Sequence, residues 1–99
     1  MLNFEKILKV FAQYLKQDDV IEIVMTQHGY TVLMWDRKQK NWWQAECCAT
    51  PEKLLDVLLE SYSLYMEEKR CCCRRDLTKA EKAEIDAELY RIKSLCEQK

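Results

Sequence analysis

The sequence predicts an α+β fold in the order α-β-β-β-α-α. It is read as a three-stranded antiparallel meander (strand order 1-2-3), with helices packed on one face and a C-terminal αα-hairpin. Three observations carry this. Residues 20–48 alternate in polarity around the chain's only glycine, Gly29. Apolar residues recur at helical spacing before and after that stretch. Residues 70–76 then interrupt the second helical pattern, just ahead of the helix-start signature Thr78-x-x-Glu81. Ninety-nine residues suffice for one core, so residues 1–99 are taken as a single domain.

The first helix is expected over 4–16. Asn3 can cap it, and Phe4, Ile7, Leu8, Phe11, Tyr14 and Leu15 form one stripe, with Glu5, Lys6, Lys9, Gln13 and Lys16 opposite. That stripe reads as core packed against the sheet. Asp18-Asp19 ends the helix and opens the first strand.

Strands are expected over 20–27, 30–36 and 41–48. His28-Gly29 is the natural two-residue turn, because Gly29 reaches positive φ without steric cost. That turn pairs Met25 with Val32, Ile23 with Met34 and Ile21 with Asp36. Ile21, Ile23, Met25, Val32 and Met34 then share one nearly apolar face. With 37–40 as the second loop, Trp35 sits opposite Trp42 and Met34 opposite Trp43. This register sends Trp43, Ala45 and Cys47 to the core. Glu22, Val24, Thr26, Thr31, Leu33, Trp35, Trp42, Gln44 and Glu46 go to the other face.

Thr50 and Pro51 start a helix expected over 51–69. Leu54, Leu55, Val57, Leu58, Leu59, Tyr62, Leu64, Tyr65 and Met66 cover more than half its circumference, so it must touch two neighbours. The last helix is expected over 79–97. Ile85, Leu89, Ile92 and Cys96 form a narrow seam that fits either an αα-hairpin or weak self-association.

Composition bounds the function. Seventeen acidic residues against sixteen basic ones leave a net charge of −1, hence no global field to hold nucleic acid. Residues 1–15 are amphipathic rather than signal-like, and no run approaches membrane-spanning length. Six cysteines without a secretory segment read as reduced thiols in a cytoplasmic protein.

Metal and catalytic chemistry find little support. The cysteines are adjacent, at 47-48 and 71-72-73, instead of forming spaced zinc-ligand pairs. A helix of about 20 residues spans roughly 30 Å and holds those clusters apart, leaving only Cys96 to return toward Cys47 and Cys48. Arg70, Arg74 and Arg75 flank Cys71–Cys73 and favour thiolate, which gives a thiol-reactive or metal-sensing protein as one alternative. The only histidine, His28, lies in a turn, near the expected position of Cys47. There is no Gly-rich phosphate loop and no H-E-x-x-H. The chain is therefore read as non-enzymatic, with no catalytic residue, metal or cofactor.

The remaining surface points to binding. Leu33, Trp35 and Trp42, with Val24, form an apolar cluster on the face away from the helices, and Arg37, Lys38 and Lys40 crown the hairpin beside it. Exposed aromatics rimmed by charge mark protein interfaces, where Trp and Arg dominate the energy. The expectation is a small regulatory or interaction module that binds a protein partner through Trp35, Trp42, Leu33, Arg37, Lys38 and Lys40. A free edge on the first or third strand offers a second docking mode. The rival reading takes the same basic and aromatic hairpin as a nucleic-acid binder, with a second basic run at 69–75. The structural alternative is that the last helix folds over this face and buries it. The sequence carries no motif of a recognised family.

Overall fold

The structure is a computed structural model that describes residues 2–71 and 75–98. Its elements are α1 (Phe4–Val10), α2 (Ala12–Gln17), β1 (Ile21–Thr26), β2 (Gly29–Asp36), β3 (Asn41–Cys48), α3 (Pro51–Cys71) and α4 (Lys79–Glu97). The strands form one open antiparallel sheet in the order β1-β2-β3, the predicted α+β meander. The helices pack against one another and against one sheet face, and α3 with α4 makes the C-terminal αα-hairpin.

The segment expected as one helix over 4–16 is two. Asn3 caps α1, its Oδ1 accepting from the Lys6 N–H at 2.8 Å. Phe11 then leaves helical geometry (φ −88°, ψ 1°) before α2 begins. The ladder survives the break, since Phe11 N–H donates to the Ile7 carbonyl and Leu15 N–H to the Phe11 carbonyl, at 3.0 and 2.9 Å. No Pro or Gly marks this position. What distinguishes Phe11 is its burial at the centre of the core, where its ring meets Tyr14 and Tyr62 edge-on. Asp18 closes α2. It is buried, accepts from the Tyr14 hydroxyl at 2.9 Å and from the Val20 N–H at 3.3 Å, and so ties the helix end to β1. Burial and the Asp18 carboxylate together hold the Tyr14 phenol far above its usual pKa.

The first hairpin turns one residue earlier than expected. Thr26 faces Gly29, so Gln27-His28 is the loop. Thr26 Oγ1 secures it, accepting from the His28 N–H (3.1 Å) and donating to the Gly29 carbonyl (2.9 Å). Gly29 is still required, at φ +114° and with Cys48 O 2.7 Å from where a Cβ would stand. Its role is close approach to β3, not the turn itself. The register moves by two residues: Ile21 faces Met34, Ile23 faces Val32 and Met25 faces Tyr30. A slip of two preserves both faces, because side chains alternate with period two.

The second hairpin begins as expected, with Asp36 opposite Asn41 and Trp35 opposite Trp42. A β-bulge then shifts the ladder, so that Met34 faces Gln44 and Tyr30 faces Cys48. Trp43 is the extra residue. Beyond the bulge every β3 side chain takes the face opposite to the expected one. Cys48 is fully buried, whereas Ala45 and Cys47 are exposed and Trp43 is 60% exposed. The assignment of Trp43, Ala45 and Cys47 to the core is thereby corrected.

The core joins Ile7, Phe11 and Tyr14 to Ile21, Val32 and Cys48 of the sheet, to Leu54, Leu55 and Leu58 of α3, and to Ile92 and Cys96 of α4. Full burial of a leucine such as Leu54 or Leu58 contributes roughly 1.5–3 kcal/mol before the entropy cost. Thr50 caps α3 by accepting from the Lys53 N–H at 3.2 Å. A reciprocal capping box starts α4, with Thr78 and Glu81 each bonding the other's backbone N–H. Arg75 grips Glu81 through both guanidinium nitrogens at 2.7 and 2.9 Å, and Arg70 pairs with Glu84. The Arg70–Glu84 pair ties the end of α3 to α4. Of the α4 seam, Ile85, Ile92 and Cys96 are buried and Leu89 is half-buried.

Candidate protein-binding face

The outer sheet face is built by the pleat. It carries Glu22, Val24 and Thr26 of β1, Thr31, Leu33 and Trp35 of β2, and Trp42, Ala45 and Cys47 of β3. None of these side chains is buried, and α4 packs against α3 and α1 instead of covering them. Val24 is 37% exposed and Trp42 46%, while Leu33 and Trp35 are half-buried. The Trp35 and Trp42 rings meet edge-to-face at 4.9 Å and 73°. Quadrupole complementarity favours this geometry, which holds both rings in place on an open surface.

The hairpin tip over 37–40 is ordered from below by Asp36. Its Oδ1 accepts from the Lys38 and Gln39 N–H groups at 2.9 and 3.1 Å, and its carbonyl accepts from Lys40 N–H at 2.8 Å. Lys40 adopts a left-handed conformation (φ 55°) to rejoin β3. Arg37 does not stand free at the tip. It forms an exposed ion pair with Asp19, which raises the pKa of its guanidinium. Among the described residues, Lys38 and Lys40 have no such partner.

Leu33, Trp35 and Trp42 share the outer face, and Arg37, Lys38 and Lys40 stand on the loop that joins β2 to β3; Trp35, Arg37 and Lys38 also border a groove on the helix side. Trp43 was not among the six candidate residues. It lines the same groove, of about 650 Å³, together with Met34, Leu64 and Tyr65. Leu64 is itself 57% exposed. Alternation places the two rings of the Trp-Trp dipeptide on opposite faces, and the bulge leaves Trp43 exposed instead of in the core.

The cysteines are dispersed. Cys48 and Cys96 share the core, and burial raises both thiol pKa values. Cys47 is exposed, with its Sγ 3.7 Å from the His28 carbonyl, so the sulfur meets that residue's backbone. Cys71 is buried at the end of α3. Cys72, Cys73 and Arg74, part of the expected reactive cluster, lie outside the described residues. Among the described residues no group of His, Cys, Asp or Glu is placed to hold a metal ion, and no helix is long and apolar enough to cross a membrane.

No protein-family model, curated protein or solved structure matches the chain. Its function is argued from its own geometry.

Proposed function

We propose that the chain is a small non-enzymatic interaction module, cytoplasmic and regulatory in character, which binds a protein partner through the outer sheet face and the hairpin tip. The observation that supports this reading is the Trp35–Trp42 pair. Two indoles braced against each other on an uncovered face present a rigid apolar anchor at low entropic cost. Leu33 and Val24 extend the apolar patch, and Lys38 and Lys40 supply a polar rim for steering and orientation.

The nucleic-acid reading is weaker on this geometry. Arg37 is engaged by Asp19, and the aromatic pair meets edge-to-face, so neither ring is laid out as a free stacking platform beside a cationic track.

Affinity purification from the native host tests the proposal, with wild-type, Trp42→Ala and Lys38→Glu/Lys40→Glu baits run side by side. A protein partner held by the tryptophans is lost with Trp42→Ala and persists as salt is raised. A nucleic acid is lost with the lysine variant and falls away steeply with salt.

A further inference from the structure

We propose that a second copy of this chain adds to the free edge of β1, antiparallel and about a two-fold axis normal to the sheet, with Val24 of one copy facing Val24 of the other.

The sheet has two edges, β1 and β3, and they differ in protection. β3 is interrupted by the bulge at Trp43, and its Glu46 is paired with Lys53 of α3. Such features discourage strand addition. The β1 edge has none of them. Ile21–Thr26 is a regular strand without Lys, Arg or Pro, and its pairing with β2 runs without a shift. It leaves Met25 73% and Val24 37% exposed.

The backbone decides which residues can bond outward. Trp35 N–H donates to the Val20 carbonyl at 2.7 Å, which makes Val20–Trp35 a bonded pair in the β1–β2 ladder. Bonded pairs alternate along an antiparallel ladder. Glu22, Val24 and Thr26 therefore spend their backbone groups on β2. Ile23 and Met25 direct theirs to the open edge. An antiparallel pair about a two-fold axis normal to the sheet keeps both faces continuous. Placing Val24 on Val24 sets Ile23 opposite Met25 twice, so the outward groups meet outward groups. It also sets Glu22 opposite Thr26, with no like charges facing. Centring the axis on Glu22 opposes two carboxylates, and centring it on Ile23 sets Glu22 against Val24. Of these three, only the Val24 register sets apolar against apolar on both faces without opposing like charges. It also gives Met25, an exposed methionine on the helix side, an apolar neighbour in Ile23.

This interface shares Val24 with the outer-face patch but does not involve the Trp35–Trp42 pair, so loss of a tryptophan and loss of the dimer are distinguishable. Sedimentation equilibrium from micromolar to millimolar concentration tests it. The wild-type chain shows a reversible monomer–dimer equilibrium. Val24→Lys and Val24→Glu each weaken the dimer roughly tenfold or more, because the axis sets like charge on like charge. An equimolar mixture of the two variants restores association, since lysine then faces glutamate. Trp42→Ala leaves the dimer unchanged. In parallel, hydrogen exchange on the unmodified chain shows the Ile23 and Met25 amides protected at high concentration and losing that protection on dilution. A wild-type chain monomeric throughout, variants that associate like wild type, a mixture that stays monomeric, loss of the dimer in Trp42→Ala, or Ile23 and Met25 exchange independent of concentration each overturns the proposal.

Discussion

Trp35 and Trp42 stand directly opposite each other on β2 and β3, rings 4.9 Å apart, while the next residue, Trp43, has no cross-strand partner and lies 60% exposed on the helix side of the sheet. One bulge produces both outcomes. It preserves the pair at the tip and ejects the neighbouring indole from the core, so the energetics of the two adjacent tryptophans follow from it. Trp42→Ala is expected to cost about 1 kcal/mol, the worth of an edge-to-face contact. Trp43→Ala is expected to cost no more, since a largely exposed ring leaves little cavity. Phe11→Ala, which empties the core, costs roughly 3–5 kcal/mol. Urea denaturation of the three variants checks the order, and a Trp43→Ala loss as large as that of Phe11→Ala would contradict the bulge.

Gly29 tests the other hairpin. At φ +114° and with Cys48 O 2.7 Å from the position of an added Cβ, alanine meets both backbone strain and a clash with β3. Gly29→Ala is expected to lower stability by roughly 1–3 kcal/mol. His28→Ala, in the exposed loop, is expected to change it by less than about 0.5 kcal/mol. The same denaturation experiment reads both.

Acid should loosen the start of α4. Arg75 and the Thr78 N–H hold the Glu81 carboxyl down from its ordinary 4.5 to about 2. A depressed folded pKa means the stabilisation is fully present above pH 4.5 and is lost as pH falls toward 2. Protonated Glu81 resembles glutamine. The wild-type advantage over Glu81→Gln should therefore shrink across that window, as read by urea midpoints at stepped pH. An advantage that stays constant down to pH 2 would show that the Arg75–Glu81 contact adds nothing.

Thiol reactivity should follow burial. Cys47 is exposed, whereas Cys48 and Cys96 are fully buried with raised pKa values. Under native conditions a maleimide is expected to modify Cys47 well before the other two. Fragment-ion mass spectrometry separates adjacent Cys47 and Cys48, and preferential labelling of Cys48 would reverse the face assignment of β3.

Much of this fold was legible in the residues, for identifiable reasons. The start of α4 follows from the Thr78–Glu81 box, and the start of α3 from Thr50-Pro51, because caps are local chemistry. The faces of β1 and β2 survived a misplaced turn because the error was two residues, an even number. The bulge was not legible. It depends on how the Gly29–Cys48 approach at one end is reconciled with the Asp36–Asn41 loop at the other, a balance along the whole of β3. Nor was the break at Phe11, which lies in an unbroken helical pattern and is set by tertiary packing. Of the candidate surface, the Trp35–Trp42 pairing and the hairpin tip could be read from loop length. The Arg37–Asp19 pair could not, since it joins residues eighteen apart in sequence.

The central claim is that the outer sheet face anchors a protein. Calorimetric titration of the partner recovered from the host against wild-type chain, Trp42→Ala and Tyr90→Ala tests it most directly. Tyr90 is 75% exposed on α4 and serves as the control for losing a surface aromatic. The account predicts a roughly tenfold or greater loss of affinity, about 1.4 kcal/mol or more, for Trp42→Ala alone. Equal affinity of Trp42→Ala and wild type, or a loss confined to Tyr90→Ala, would contradict it.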